Sequence, residues 1–319
     1  MKSEMAKKKY SQKSGTEQKG SVTEKSVASQ SSASWKMFLP GLIAVMVTFI
    51  CFSSSLNNEF VNWDDDKNFY ENPLVQNVTK DNFWKTSKEI FSTGVIGNYN
   101  PLPIWTFAIE KLTFGFENPQ KWHLTNVLLH LICVFFVYLL SRKLRLGWQA
   151  AFLAATLFGI HPMRVESVAW VTERKDVLFG LFYLAALWQY VLYKEDQKGI
   201  RWGWISALFL LSCFSKIQAV SLPLSMMAVD YYLAPRRWEW SDVIRSGVSK
   251  IPFFLISLGF GLYGVLELKN FGSLASVEQV VDFSLLDRLA IGGYSFMVYL
   301  VKFVYPYKMS PLYPYENEV

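Results

Sequence analysis

Apolar runs of membrane-crossing length constrain this chain more than any other feature. Residues 38–56 hold nineteen consecutive positions with no acidic or basic side chain, and residues 124–140 and 177–193 repeat the pattern over seventeen each. The hydrocarbon core of a bilayer is about 30 Å thick and a helix rises about 1.5 Å per residue, so about 20 apolar residues cross it with the backbone bonded internally. Further apolar stretches at 148–160, 202–233, 251–268 and 289–304 lead to the expectation of an all-α polytopic membrane protein. A hydrophobic share of 51% and a mean hydropathy of +0.17 exclude an ordinary soluble domain, and the 12 tryptophans suit membrane interfaces.

Basic residues orient the spans. The net charge of +6 comes mostly from eight lysines among the Ser, Gln and Gly of residues 1–37, predicted as a disordered cytoplasmic tail. That tail lacks the aromatic interleaving of a nucleic-acid arm, so no nucleic-acid partner is expected. Its length and the missing cleavage pattern favour an uncleaved anchor over a signal peptide. Residues 38–319 then form one membrane domain, with a large extracytoplasmic loop at 57–121 broken by Pro73, Pro101, Pro103 and Pro119. Within it, 81–91 reads as a short surface helix.

Arg142, Lys143 and Arg145, then Lys194, Lys198 and Arg201, mark returns to the inner side. Residues 202–233 are either one long helix or a hairpin broken at Ser215 and Lys216. A single span would strand Arg236 and Arg237 outside, so the hairpin is preferred and the expected total is eight spans. An outer loop at 269–287 and a Pro- and Tyr-rich end at 306–319 complete the chain, with no internal repeat.

This topology gathers the unusual polar residues on one side: Asp64, Asp65 and Asp66; His161, Glu166, Glu173, Arg174, Lys175 and Asp176; Lys216; and Lys269, Asp287 and Arg288. Ionisable groups at a membrane boundary are either interface anchors or parts of a site. Three adjacent carboxylates read as a base raised by crowding, as a solvated turn, or as oxygen ligands for a divalent ion. Adjacent Arg174 and Lys175 suit a phosphate, the first by its fork and the second as a point charge, and equally suit lipid headgroups. His161 precedes Pro162 and reads as a capping histidine, because His123 and His130 lie far off in sequence. Cys51, Cys133 and Cys213 show no metal-ligand spacing, so no metal or other cofactor is assigned. Asn77-Val78-Thr79 matches a glycosylation acceptor, meaningful only in a eukaryotic secretory pathway.

Ordered motifs add a resemblance. Residues 58–65 (NEFVNWDD), Asn72-Pro73, Tyr99-Asn100-Pro101-Leu102, Trp122-His123-Leu124-Thr125-Asn126, His130, the run 161–176, Ser215-Lys216, Leu222-Pro223 and Asp230-Tyr231-Tyr232 follow one another as in the TMTC-type protein O-mannosyltransferases and their bacterial relatives. The resemblance covers most of residues 56–315. It implies a GT-C glycosyltransferase fold and an extracytoplasmic site that moves a mannose-like sugar from a polyprenyl- or dolichyl-phosphate donor to a hydroxyl on a protein or glycan.

The family's acidic pair after the first helix matches Asp64 and Asp65, implying the catalytic role for them, and its phosphate-side basic motif resembles Arg174-Lys175. His161, Glu166, Glu173, Asp176 and Lys216 are expected to support them. The implied membrane is the bacterial inner membrane, or that of the endoplasmic reticulum in a eukaryote. The tetratricopeptide repeats of such proteins are absent here and the spans are fewer, so a shortened or partial member is expected. The rival classes are an ion-coupled transporter, which calls for charges in mid-span and related halves, and a non-catalytic scaffold.

Overall fold

The computed structural model describes residues 35–270 and 284–310. The predicted tail up to residue 34, most of the 269–287 loop and the end of the chain from 311 lie outside the described residues. One compact unit begins at Pro40, in the first turn of the first helix. Its helices are α1 (Leu39–Phe52), α2 (Phe83–Ile90), α3 (Pro101–Phe114), α4 (Pro119–Lys143), α5 (Trp148–Ile160), α6 (Arg174–Asp196), α7 (Ile200–Ser215), α8 (Leu222–Leu233), α9 (Trp240–Val248), α10 (Ile251–Asn270) and α11 (Leu285–Val304). Among the described residues there is no strand beyond one isolated bridge.

Side-chain contacts fix the directions of the helices. Phe52 packs edge-on against His130 and Gly41 lies against Tyr138, so α1 runs opposite to α4. Trp122 lies beside Arg174 and Lys143 pairs with Glu195, so α4 and α6 run together. His130 meets the Gly159 carbonyl at 2.9 Å, which sets α5 antiparallel to α4. Gly159 lets these helices close up: a Cβ there would stand 2.2 Å from Thr48 Oγ1 and 3.0 Å from a Val134 methyl. Small residues of this kind permit close helix approach in a membrane.

The break expected at Ser215 and Lys216 is present, with α7 ending at Ser215 and Lys216 extended. Tyr183 touches Ser225 and Tyr190 bonds Asp230, so α8 runs parallel to α6. Arg201 bonds Gln189 and Ser212 bonds the Phe179 carbonyl, so α7 runs opposite to α6. The chain therefore reverses at Lys216 and brings Arg236 and Arg237 to the same end as Lys194.

All eight segments expected to span are helical. Four are long and apolar enough to cross a bilayer: Leu39–Asn57, Pro119–Lys143, Val171–Asp196 and Ile251–Asn270. Helices α5 and α7 are apolar but shorter. Helix α8 has 12 residues, and α11 has the length but carries Asp287, Arg288 and Lys302.

The 57–121 segment is a folded lobe, with a hydrophobic core of its own. Proline at the first turn of α3 and of α4 sets the helical φ where no backbone donor is needed, and Gly115, at φ +65°, ends α3. The amphipathic α2 falls inside the 81–91 stretch read as a surface helix, packs Ile90 into the lobe and leaves Trp84 exposed. The lobe core comprises Phe69, Val75, Val78, Ile90, Ile104, Phe107, Ala108 and Trp122, and it extends to Val171. Trp122 is its centre, stacked 5.0 Å from Phe69 and 5.3 Å from Phe116. Aromatic pairs at such distances add ~1 kcal/mol each beyond their burial.

Candidate functional site

The aspartate turn follows α1 and a short 3-10 turn, Ser53–Asn57. Its three carboxylates meet three different surroundings. Asp65 is fully buried; one oxygen accepts from the Val61 N–H at 2.8 Å and the other from the Thr172 N–H at 3.1 Å. Asp65 thus fastens the turn to the segment that leads into α6. Asp66 accepts from the Lys67 N–H, a local contact. Asp64 is half-buried, and among the described residues its carboxylate has no hydrogen-bond or ion-pair partner; only its carbonyl is used, by Asn68.

Arg174, the first residue of α6, is fully buried. Its guanidinium donates to Glu110 at 2.5 Å, to Asn126 Oδ1 at 2.8 Å, to the Trp122 carbonyl at 3.0 Å and to Thr106 Oγ1 at 3.4 Å, and it lies over the Phe107 ring at 4.5 Å. The fork expected to face a phosphate is committed to the protein interior. Burial holds the Glu110 carboxyl above its ordinary range, opposed by the charge of Arg174. Asn126 also donates to the Trp170 and Val171 carbonyls. The Trp122-to-Asn126 motif therefore supplies two of the groups that seat Arg174.

Lys175 turns the other way, half-buried, and pairs with Glu173 at 2.6 Å. Lys216, from the break between α7 and α8, reaches Glu173 at 3.6 Å and forms a short ion pair with Asp176. Asp176 also accepts from Ser167 at 2.9 Å. Glu166 is held above the ordinary carboxylate range, first by desolvation among its neighbours and then by the charges of Glu173 and Asp176. His161 stands apart from this cluster: one ring nitrogen accepts from the Met163 N–H, as a cap should, and the other meets the Phe303 carbonyl at 2.9 Å.

Beside the cluster opens a cavity of about 310 Å³. Its polar wall holds Arg164, Ser167, Asp176 and Lys216, and its apolar wall includes Phe158, Val177, Phe179 and Leu184 from the membrane helices. A space lined by both charged and apolar side chains fits an amphiphile with an anionic head. Among the described residues no group of three or more His, Cys, Asp or Glu is arranged to hold a metal ion.

Sequence reasoning missed Glu110, and it quoted Asn126 and Arg164 within its motifs without giving either a role. Glu110 had a signal: it is the one acid in an apolar helix, where an unpaired carboxylate is costly.

Helices of this length and composition, with a charged cluster beside a cavity of mixed polar and apolar lining, define an integral polytopic membrane protein. Residues 98–259, about half of the chain, match the model of the dolichyl-phosphate-mannose-protein mannosyltransferases, and the chain belongs to that family. Among curated relatives, protein O-mannosyl-transferase Tmtc1 of Drosophila melanogaster is 29% identical over 210 residues, 63% of this chain and 24% of the relative. Human protein O-mannosyl-transferase TMTC4 is 32% identical over 181 residues, 50% of this chain and 24% of the relative. Protein O-mannosyl-transferase F38B6.6 of Caenorhabditis elegans is 28% identical over 234 residues, 69% of this chain and 31% of the relative. The chain thus spans about a quarter to a third of the length of these relatives. No solved structure matches.

Proposed function

We propose that this region is the donor half of a membrane glycosyltransferase that moves a mannose-like sugar from a polyprenyl- or dolichyl-phosphate carrier to a hydroxyl, on protein, at the extracytoplasmic face. The observation that carries the reading is the cavity, which joins Lys216, Arg164 and Asp176 to apolar side chains. The carrier's isoprenoid chain lies along Phe158, Val177, Phe179 and Leu184, and its phosphate meets Lys216 and Arg164, with Lys175 close by in the Glu173 cluster. Arg174 acts behind them as a brace.

The acceptor oxygen attacks the anomeric carbon as the bond from that carbon to the phosphate oxygen breaks, with inversion. Asp64, whose carboxylate is uncommitted, takes the hydroxyl proton, and Asp65 holds the turn in place. A phosphate leaving group needs no proton when cations balance its charge, so one carboxylate base and the lysines suffice. A membrane-bound donor that already carries phosphate supplies the energy where nucleotide sugars are absent.

The test uses the 319-residue chain in mild detergent with a radiolabelled polyprenyl-phosphate mannose and a Ser/Thr peptide. Wild type releases lipid phosphate and labels the peptide. Lys216→Ala raises the donor KM more than the acceptor KM. Equal effects on the two substrates argue that Lys216 only holds Asp176, and no transfer by wild type refutes the assignment.

A further inference from the structure

At the opposite end of the helices a second polar network clamps α9 to the body of the protein. Lys250, 1% exposed, donates to Asp230 at 2.6 Å and to Ser246 Oγ at 3.0 Å. Ser246 in turn donates to Asp230 at 2.7 Å, and Asp230 also takes the Tyr190 hydroxyl and pairs with Lys194 at 2.9 Å. Ser246 therefore marks the inward face of α9.

The outward face is apolar. Trp240 is 76% exposed, Ile244 52% and Val248 57%. At 100° per residue this i, i+4, i+8 stripe lies on the side away from Ser246. Polar side chains flank it: Arg236 pairs with Asp242 at 2.9 Å, whereas exposed Arg237 and Arg245 have no ion-pair partner among the described residues. The whole end is basic, with ten basic against five acidic side chains in residues 142–145, 194–201 and 230–250.

We propose that α9 lies in the bilayer interface at this end, with Trp240, Ile244 and Val248 in the acyl boundary and Arg237 and Arg245 holding anionic phospholipid headgroups. Two observations select lipid as the occupant. The helix joins α8 directly to the membrane-length α10, which keeps it at the height where the apolar core ends. The surplus of cations complements an anionic leaflet, and an apolar stripe with Arg at its flanks is the pattern of an interfacial helix.

The experiment uses the 319-residue chain in nanodiscs of phosphatidylcholine and phosphatidylglycerol. Lipids brominated near the headgroup quench a tryptophan component that Trp240→Phe removes. After detergent extraction, R237Q/R245Q retains roughly twenty-five-fold less phosphatidylglycerol than wild type, because each surface cation contributes about fivefold. Its phosphatidylcholine retention and helix content are unchanged. Equal phosphatidylglycerol retention by the variant overturns the proposal. So does a Trp240 that brominated lipid does not reach, which would mean that protein covers the stripe. Neither readout involves sugar transfer, so the outcome is independent of the activity assigned above.

Discussion

Replacing Arg174 distinguishes a brace from a phosphate ligand. Its guanidinium makes four hydrogen bonds to the protein and is fully buried. Arg174→Gln leaves the Glu110 carboxylate buried without its cation, and breaking a buried pair in this way costs about 3–5 kcal/mol. The Trp122 carbonyl and Asn126 Oδ1 also lose a donor, at ~1–3 kcal/mol for each acceptor left dry. Partial replacement of these bonds by the glutamine amide brings the expected loss to about 4 kcal/mol. Glu110→Gln in the same chain removes the stranded charge and restores a large part of that loss, since partners in one network are not additive.

The assay is reversible unfolding of the four members of this cycle in mild detergent, followed by tryptophan fluorescence, with donor KM measured on the same proteins. A stability loss under ~1 kcal/mol for Arg174→Gln, with a large rise in donor KM, would refute the brace and return Arg174 to the phosphate. A double variant no better than the single would refute the coupling.

Asp64→Asn abolishes transfer while the melting curve stays near wild type, whereas Asp65→Ala loses two backbone donors' acceptor and melts early, by about 2 kcal/mol or more; stability and turnover measured on both variants check the division of labour. Glu166 binds its proton more readily folded than unfolded, so its contribution to stability is full below the ordinary carboxylate range and is lost as pH rises through its folded pKa. Glu166→Gln is therefore more stable than wild type at pH 7 and no different at pH 3, as thermal melts at the two pH values will show. Gly159→Ala pushes a methyl into Thr48 and Val134 and costs about 1–3 kcal/mol, and adding Thr48→Ala recovers part of it.

The sequence by itself determined the class of the protein. Apolar runs near 20 residues admit only helices in a bilayer, because no water is present there to satisfy an exposed backbone. Charge parity also sufficed for the hairpin: Arg236 and Arg237 demanded a reversal, and the chain reverses at Lys216. The ordered motifs carried the family, and two of them meet in one clamp, in which Trp122 and Asn126 grip Arg174.

What the sequence withheld was the partner of each charge. Asp64 and Asp65 are neighbours of one type, and only folding separates them, by spending both oxygens of one on Val61 and Thr172. Arg174 and Lys175 likewise share a motif, yet successive residues of a helix point about 100° apart, so one is sealed against Glu110 and the other reaches Glu173. Spacing along the chain shows which residues share an end of the helices, but burial decides which of them remains available to a substrate.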